Sequence, residues 1–305
     1  MTSLNNWIPV EYDDTTIEAA AQSSAILAAA KPVPMGSETA YVRRVGGNGV
    51  TIGDTYSDDA SDHDKVLLTA FKFGGQNKLP EDDLADGESW GPVIQPLADA
   101  WLKSYAVILD NSCLGVTANS NGTTRPFQSV YYKVRANGTG SSAEAGYTAD
   151  DNYVNHNGAA SAAYDDLSST LAVVEGSEYW DDSQALVIAH PAFRDVLRRT
   201  KDDNGMPIFV QGIAGTPDTL FGVEIHWSRG AKTSNVATKS PEGNPLLVFV
   251  GDRNLLIRGD RSEVESRISL SDAHDSTDEV AVKYRARKAF AVGNVKGLSV
   301  MEKTA

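Results

Sequence analysis

The sequence has a single cysteine, Cys113, among 305 residues. It makes no internal disulfide, it has too few ligands for a zinc site of the usual Cys/His kind, and it fits a reducing compartment. Long hydrophobic runs are missing as well: nothing approaches the roughly 18 consecutive apolar residues of a membrane helix. The opening residues, "MTSLNNWIPVEYDD", hold neither a basic n-region nor an apolar h-region, so no secretory signal is expected. Positive charge is in short supply. Lys and Arg number 27 against 41 Asp and Glu, a formal net charge of −14, which disfavours nonspecific nucleic-acid binding. Such an acidic balance serves solubility, and it also suits a protein that must sit beside DNA without holding it.

Catalytic signatures are lacking too. The histidines (63, 156, 190, 226 and 274) are scattered, with no HExxH and no HxH pair. There is no G-x-S-x-G elbow, "GGNG" at 46–49 lacks the lysine and hydroxyl of a phosphate loop, and no G-x-G-x-x-G opens a helix. "TKDDNG" at 200–205 lacks the alternating ligands and late Glu of a calcium loop. No catalytic, cofactor-binding or metal-ligating residue is therefore assigned.

What remains is an ordinary globular composition, 41% hydrophobic and 22% charged. "TTIEAAAQSSAILAAA" (Thr15 to Ala30) reads as a short helix, stopped by Pro32 and Pro34. "AYVRRVG" and "KVLLTAFKF" read as the outgoing and returning strands of a long hairpin, with a Gly-, Ser- and Asp-rich loop between them. A loop of that length is odd in a compact enzyme unless it reaches for something. Trp90, Ile94, Leu97, Trp101, Tyr105 and Ile108 recur at helical spacing, and Gly115 supplies a stop. From Trp90 to Asn111 such a helix spans roughly 33 Å at about 1.5 Å per residue, with Pro96 forcing a kink or a later start. Further along, "QSVYYKV" is a candidate strand and "YDDLSSTLAVVEG" a helix. "ALVIAH", "LFGVEIHW" and "NPLLVFVGD" read as strands, "NLLIRGDRSEVESRISLS" as two more. "DEVAVKYRARKAFAVGNVKGLSVME" closes the chain as one long strand or two short ones.

"HPAFRDVLRRTKDDNGMPIF" (His190 to Phe209) looks like the edge of an active site, but its parts have structural explanations. Pro191 suits a helix start, Arg194, Arg198 and Arg199 suit the late turns of a helix, and "DDNG" suits a turn with Gly205 at positive φ. A catalytic His190 needs a partner that the sequence does not display. The segment is read as scaffolding.

The order of parts (arm, hairpin, long helix, mixed lobe, closing strand) resembles the major capsid proteins of tailed bacteriophages, the Hong Kong 97 fold family. "ALVIAHPAFRDVLRRTKDDNGMPIF", "LLVFVGDRNLLIRGDRSEVESRIS", "VKYRARKAFAVGNVKGLSVME" and "WIPVEYDDTTIEAAAQSSAILAAAKPVPMGSETAYVRRV" carry the resemblance, collinear over nearly the whole chain. The resemblance implies an α+β capsid fold. Residues 1–40 would form an N-terminal arm, 41–78 an extended loop, 79–115 with 276–305 a peripheral domain built on the spine helix, and 116–275 an axial domain. It further implies pentamers and hexamers of an icosahedral head that encloses double-stranded DNA, located in the virion capsid and assembled in the host bacterial cytoplasm. Trp7 and Ile17 in the arm, and Tyr41, Arg43, Asp58, Asp59, Lys65 and Lys72 in the loop, are the expected inter-subunit contacts.

Implied partners are further copies of the chain, a portal protein at one vertex and a possible cement protein, with no cofactor and no membrane. Because the arm begins almost at Met1, any scaffolding protein is expected to be separate. Some members of the family weld subunits through Lys–Asn isopeptide bonds assisted by a Glu. "STDEVAVKYRARKAF" has no Asn and no Glu just before Arg287, so Lys65 and Lys72 lack an acceptor and a base, and no crosslinks are expected. A same-fold bacterial nanocompartment shell is the nearest alternative. A β-rich adhesin or carbohydrate-binding module is the alternative from another class, which the long amphipathic helix disfavours.

Overall fold

In a computed structural model of the chain, the residues described are 23–45, 63–80, 91–136, 146–157, 163–201, 218–241, 246–269 and 278–304, with 206, 209 and 243 besides. In chain order the elements are α1 (Ala25–Ala29), β1 (Lys31–Pro34), β2 (Thr39–Val45), β3 (His63–Thr69), β4 (Phe71–Pro80), α2 (Gly91–Leu114) and α3 (Val130–Ala136). They continue with β5 (Tyr153–His156), α4 (Ala163–Glu175), β6 (Ala185–Ala189), α5 (Phe193–Arg199), β7 (Thr219–Leu220), β8 (Val223–Trp227), β9 (Leu246–Asp252), β10 (Leu256–Ser269), β11 (Glu279–Val292) and β12 (Leu298–Lys303). Four strands form a sheet in the order β1-β10-β11-β4, six form another in the order β5-β12-β9-β6-β8-β7, and β2 and β3 pair as a hairpin.

The spine helix α2 joins the two sheets. Tyr105 and Leu109 are buried on its inner face, and from Leu109 to Leu114 every residue is buried. One core cluster holds Leu109 and Leu114 with Ala286 and Phe290 of the smaller sheet and Leu186, Ile188, Phe249 and Val300 of the larger. Each fully buried aliphatic side chain contributes about 1.5–3 kcal/mol, so this shared core dominates the fold. A second cluster lies under the other face of the larger sheet, where Leu167 and Leu171 of α4 and Phe193 and Leu197 of α5 meet Val187, Val248 and Val250.

The helix runs from Gly91, with Pro96 inside it, rather than starting after that proline. It ends at Leu114, and the next residue is Gly115 for want of space: a Cβ there would overlap the carbonyl oxygen of Lys232. The candidate strand "QSVYYKV" is instead α3. Ser129 Oγ accepts from the Tyr132 N–H at 3.0 Å and caps its first turn, while Val130, Tyr131 and Val134 turn inward. Those burials follow helical rather than alternating spacing.

The long hairpin also differs from its expected form. Its returning strand breaks at Ala70, whose N–H bonds the Glu38 carbonyl at 2.8 Å. β3 stays with β2, and β4 leaves to pair with β11 along all ten of its residues. "LFGVEIHW" is a tight hairpin, with Phe221 at φ 50° and Gly222 at φ 85° between β7 and β8. "NLLIRGDRSEVESRISLS" holds one strand, β10, whose register shifts between Asp260 and Glu265 without ending it. The closing segment is two strands in different sheets: β11 beside β10 and β4, and β12 beside β9 and β5. Sheet membership therefore changes near 253–255 and 293–297 rather than at 275, with β10 on the side of the spine-helix sheet and β12 on the other.

Candidate inter-subunit surfaces

Among the described residues no group of three or more His, Cys, Asp or Glu is placed to hold a metal ion, and no helix is long and apolar enough to cross a membrane. His190 acts as a local acceptor: its Nδ1 receives the Ala192 N–H at 3.2 Å at the entry to α5. Burial, with Lys232 and Arg229 nearby, pulls its pKa down to about 4, so it is neutral at physiological pH. Arg194 stacks over Trp227 at 4.4 Å and meets Asp218 at 3.4 Å, and Asp218 accepts from the Trp227 indole N–H at 2.7 Å. These are packing roles. "DDNG" lies outside the described residues.

The arm is fixed where it joins the body. Ser24 is an N-cap with extended φ/ψ, so the described part of the expected Thr15–Ala30 helix is only α1. A helix of five residues has no stability of its own. Asp110, fully buried near the C-terminal end of α2, supplies it from outside. Its carboxylate accepts from Ser24 Oγ, from the Ala25 N–H at 2.9 Å, from the Ile26 N–H at 3.2 Å and from Ser228 Oγ at 2.6 Å. At the other end Arg258 of β10 donates to the Leu27 carbonyl while pairing with Asp260 at 2.8 Å. An anion at the N-terminus and a cation at the C-terminus both match the helix dipole. Burial pushes the Asp110 carboxyl upward, against four hydrogen bonds that pull it down. Sequence reading missed this clamp. Its only trace was an aspartate in the buried last turns of the helix, directly after Val107, Ile108 and Leu109.

The hairpin carries the most exposed apolar pair. Tyr41 faces Leu67 across the ladder and Arg43 faces Lys65, so all four share one face. Tyr41 is 60% exposed and Leu67 49%, while Lys65 Nζ sits 4.7 Å from the Tyr41 ring. The opposite face is seated: Leu68 is buried with Met35, Ile257 and Ala289, and Arg44 donates to the Gly293 carbonyl at 3.0 Å and pairs with Asp64 at 3.1 Å. Of the expected contact residues, Tyr41, Arg43 and Lys65 thus come together on one outward surface. Lys72 stands apart on β4, opposite Arg287 of β11. Trp7, Ile17, Asp58 and Asp59 lie outside the described residues. Leu67 belongs to the same patch and was not among the expected residues, although its alternation with Leu68 places it outward.

A third surface lies between β4 and the spine helix. Trp101 stacks between Tyr105 (5.1 Å) and Tyr284 (5.5 Å), and Phe73 meets Tyr105 edge-on at 5.7 Å. Gly75 makes this possible, because a Cβ there would overlap the Trp101 indole. The aromatics wall a cavity of about 710 Å³ that opens beside β4.

The model of the Phage capsid family matches residues 5–303 of the chain. No curated protein matches it. Among solved structures, that of Microbacterium phage Oxtober96 superposes with a TM-score of 0.69 at 17% identity, covering 99% of this chain and 98% of that one. That of Mycobacterium phage Bobi gives 0.71 at 16% identity, with 99% and 97% covered. The capsid of an empty GTA particle gives 0.67 at 16% identity, with 99% and 97% covered. At these identities the likeness shows the fold.

Proposed function

The chain belongs to the phage capsid family, and from that premise we propose that it builds an icosahedral phage head from pentamers and hexamers of itself, enclosing double-stranded DNA. It is a structural protein of the virion, a major capsid protein rather than an enzyme. The observation that carries the assembly reading is the outward hairpin face. Tyr41 and Leu67 lie exposed side by side, flanked by Arg43 and Lys65, which have no carboxylate partner among the described residues. A subunit that worked alone would gain nothing from such a face, whereas a neighbouring copy can bury its apolar centre and pair its cations. Many such contacts, each weak, become stable when a symmetric shell closes.

In this reading residues 1–40 are the arm, the β2–β3 hairpin is the extended loop, and the spine helix with β4, β10 and β11 is the peripheral domain. The six-stranded sheet with α4 and α5 is the axial domain. A net charge of −14 keeps the shell from trapping its cargo electrostatically. A portal protein at one vertex, a separate scaffolding protein and a cement protein are the partners proposed with it, and assembly would take place in the host cytoplasm.

The test is light scattering after size-exclusion chromatography, followed by negative-stain microscopy of the purified protein. Capsomers, shells or tubes are expected. A clean monomer at every concentration, even with a co-expressed scaffolding protein, would overturn the reading.

A further inference from the structure

Acidic residues outnumber basic ones by 41 to 27 in the chain, yet one of its surfaces reverses that balance. On β11, Tyr284 and Ala286 are buried toward the spine helix, where Tyr284 stacks on Trp101. Lys283, Arg285 and Arg287, which alternate with them, therefore share the opposite face of the four-stranded sheet. Residues directly opposite one another on paired strands lie on the same face. Lys72 of β4 stands opposite Arg287, while Arg267 and Glu265 of β10 stand opposite Lys283 and Arg285. At one end of this face Leu68 and Met35 cover Ala289, and at the other Lys78 and Glu279 pair with each other at 2.8 Å. Between those ends the paired residues of three strands place five cations and one carboxylate on it. Lys72, Arg267 and Lys283 are exposed, and Arg285 and Arg287 are half-buried.

Two of these pairings set like charges against each other, Lys72 with Arg287 and Arg267 with Lys283, which destabilises a sheet. The register shift of β10 puts Ser262, rather than an acid, opposite Arg287, and its Oγ accepts the Arg287 N–H at 3.1 Å. Asp260 and Glu263, beside that shift, are taken up on the helix side of the sheet by the buried Lys288 at 2.9 and 3.0 Å. Glu265 answers only part of the charge: it accepts from Arg285 at 2.7 and 3.0 Å and lies 3.4 Å from Arg267. Arg285, with Arg267 and Arg287 adding to it, holds the Glu265 carboxyl below the usual carboxylate range. Lys72 and Arg287 have no carboxylate partner among the described residues.

We propose that this face docks an acidic segment of a partner protein, laid in extended form along β11 with its carboxylates on the Lys72–Arg287 and Arg267–Lys283 pairs. The inference concerns a single subunit and does not depend on the shell reading. Like charges held opposite each other cost the free subunit, and an anion seated across them offsets that cost. In an extended peptide a carboxylate at every second residue repeats at roughly 6.8 Å, the spacing of Lys283, Arg285 and Arg287 along their own strand. Gly74, opposite Arg285, lets the Lys72 side chain lie along this row: the Lys72 Cε is 3.4 Å from where a Cβ would stand. A DNA duplex fits less well. The net charge of −14 repels a long polyanion as a whole, and none of the paired residues on this face is an aromatic on which a base could stack.

The probe is a fluorescein-labelled peptide of alternating Glu and Ser, titrated into the unassembled full chain at low ionic strength and read by anisotropy. Saturable binding is expected, weakened by about tenfold in Lys72→Gln combined with Arg287→Gln. Arg198→Gln combined with Lys201→Gln makes the same change of net charge at exposed positions in and after α5 and should leave the affinity unchanged. The first pair breaks no ion pair among the described residues, so its urea midpoint should match wild type. Should that variant fail to fold, Gln76→Glu decides: it adds a carboxylate opposite Lys283, at an exposed position, and should weaken binding as well. No binding, or equal weakening by the two double variants, overturns the proposal. A duplex that binds more tightly than the peptide through Lys72 and Arg287 would give the face to nucleic acid and refute the partner named here. Self-association of the bare chain that the first double variant abolishes would likewise refute it, in favour of a second copy. Each of these outcomes is read on the unassembled subunit, so none of them bears on whether the chain builds a shell.

Discussion

Replacing Asp110 tests the clamp on the arm most directly. In Asp110→Ala the N–H groups of Ala25 and Ile26 lose their acceptor in a dry interior. The two serine hydroxyls also lose their acceptor, but each Oγ keeps the bond it accepts, from the Leu27 N–H and the Gly230 N–H, and its proton is free to rotate, so the smaller part of the loss falls on them. Two orphaned donors cost about 1–3 kcal/mol each. Removing a buried carboxylate returns part of that, because its desolvation is no longer required. The net loss expected is about 3 kcal/mol. Asp110→Asn keeps the shape. Its amide oxygen can still serve Ser24 and Ile26, its NH2 can donate to Ser228, and only the Ala25 N–H then faces another donor. One orphan implies about half the loss. Urea unfolding of the unassembled subunit should rank wild type above Asn above Ala, and hydrogen exchange should place the early loss of protection in residues 24–30. Should Asp110→Ala unfold within about 0.5 kcal/mol of wild type, or the two variants be indistinguishable, the clamp is not a clamp.

Other perturbations separate backbone fit, titration and assembly. Gly115→Ala drives a methyl into the Lys232 carbonyl, where backbone cannot yield, and should cost about 3 kcal/mol in thermal unfolding; Gly36→Ala, with nothing within 4 Å, should cost less than about 0.5. His190 has its folded pKa lowered from 6.5 to about 4, so the unfolded chain takes up the proton first as pH falls through that window. Stability should therefore drop by about 2 kcal/mol between pH 6.5 and 4, allowing for partial exposure, and His190→Gln should remove that slope in pH-resolved urea titrations. Tyr41→Ala combined with Leu67→Ala should leave subunit unfolding unchanged within about 0.5 kcal/mol and sharply reduce particle yield in sedimentation; unchanged yield would argue against the hairpin face as an interface.

Elements whose signal is local were legible in the sequence. The spine helix announces itself through Leu97, Trp101 and Tyr105, α4 through Asp165 and Asp166 in its first turn, and β6 through five consecutive buried residues. Readings failed where the deciding partner is remote. "QSVYYKV" has strand composition, yet one serine hydroxyl and a four-residue spacing make it a helix. The break at Ala70 depends on Glu38, and the placing of β12 depends on β9, far from it in sequence. The candidate surfaces divide in the same way. Tyr41, Arg43 and Lys65 follow from alternation along one hairpin, whereas Asp110 gains its meaning only when α1 and Ser228 arrive from separate parts of the chain.

The anchors constrain how a shell of this subunit can adapt. The proposed pentamers and hexamers of one sequence would need contacts that differ from copy to copy, and the adjustment would have to occur somewhere. It does not fall easily between the two sheets, because they share a close-packed core through α2. Nor does it fall at the base of the arm: Asp110 ties α1 to the spine helix and, through Ser228, to the end of β8 in the larger sheet. The base of the hairpin is held as firmly by Leu68 and by Arg44 on the Gly293 carbonyl. Whether copies differ at one of these anchors can be tested at the bond between Asp110 and Ser228. A shell that bent its subunits at the junction of the sheets would have to break the Asp110–Ser228 bond, so Ser228→Ala would ease that bending and change the balance of shells to aberrant forms. If the anchors instead hold from copy to copy, Ser228→Ala particles keep the wild-type size distribution under the microscope, though the subunit itself is less stable.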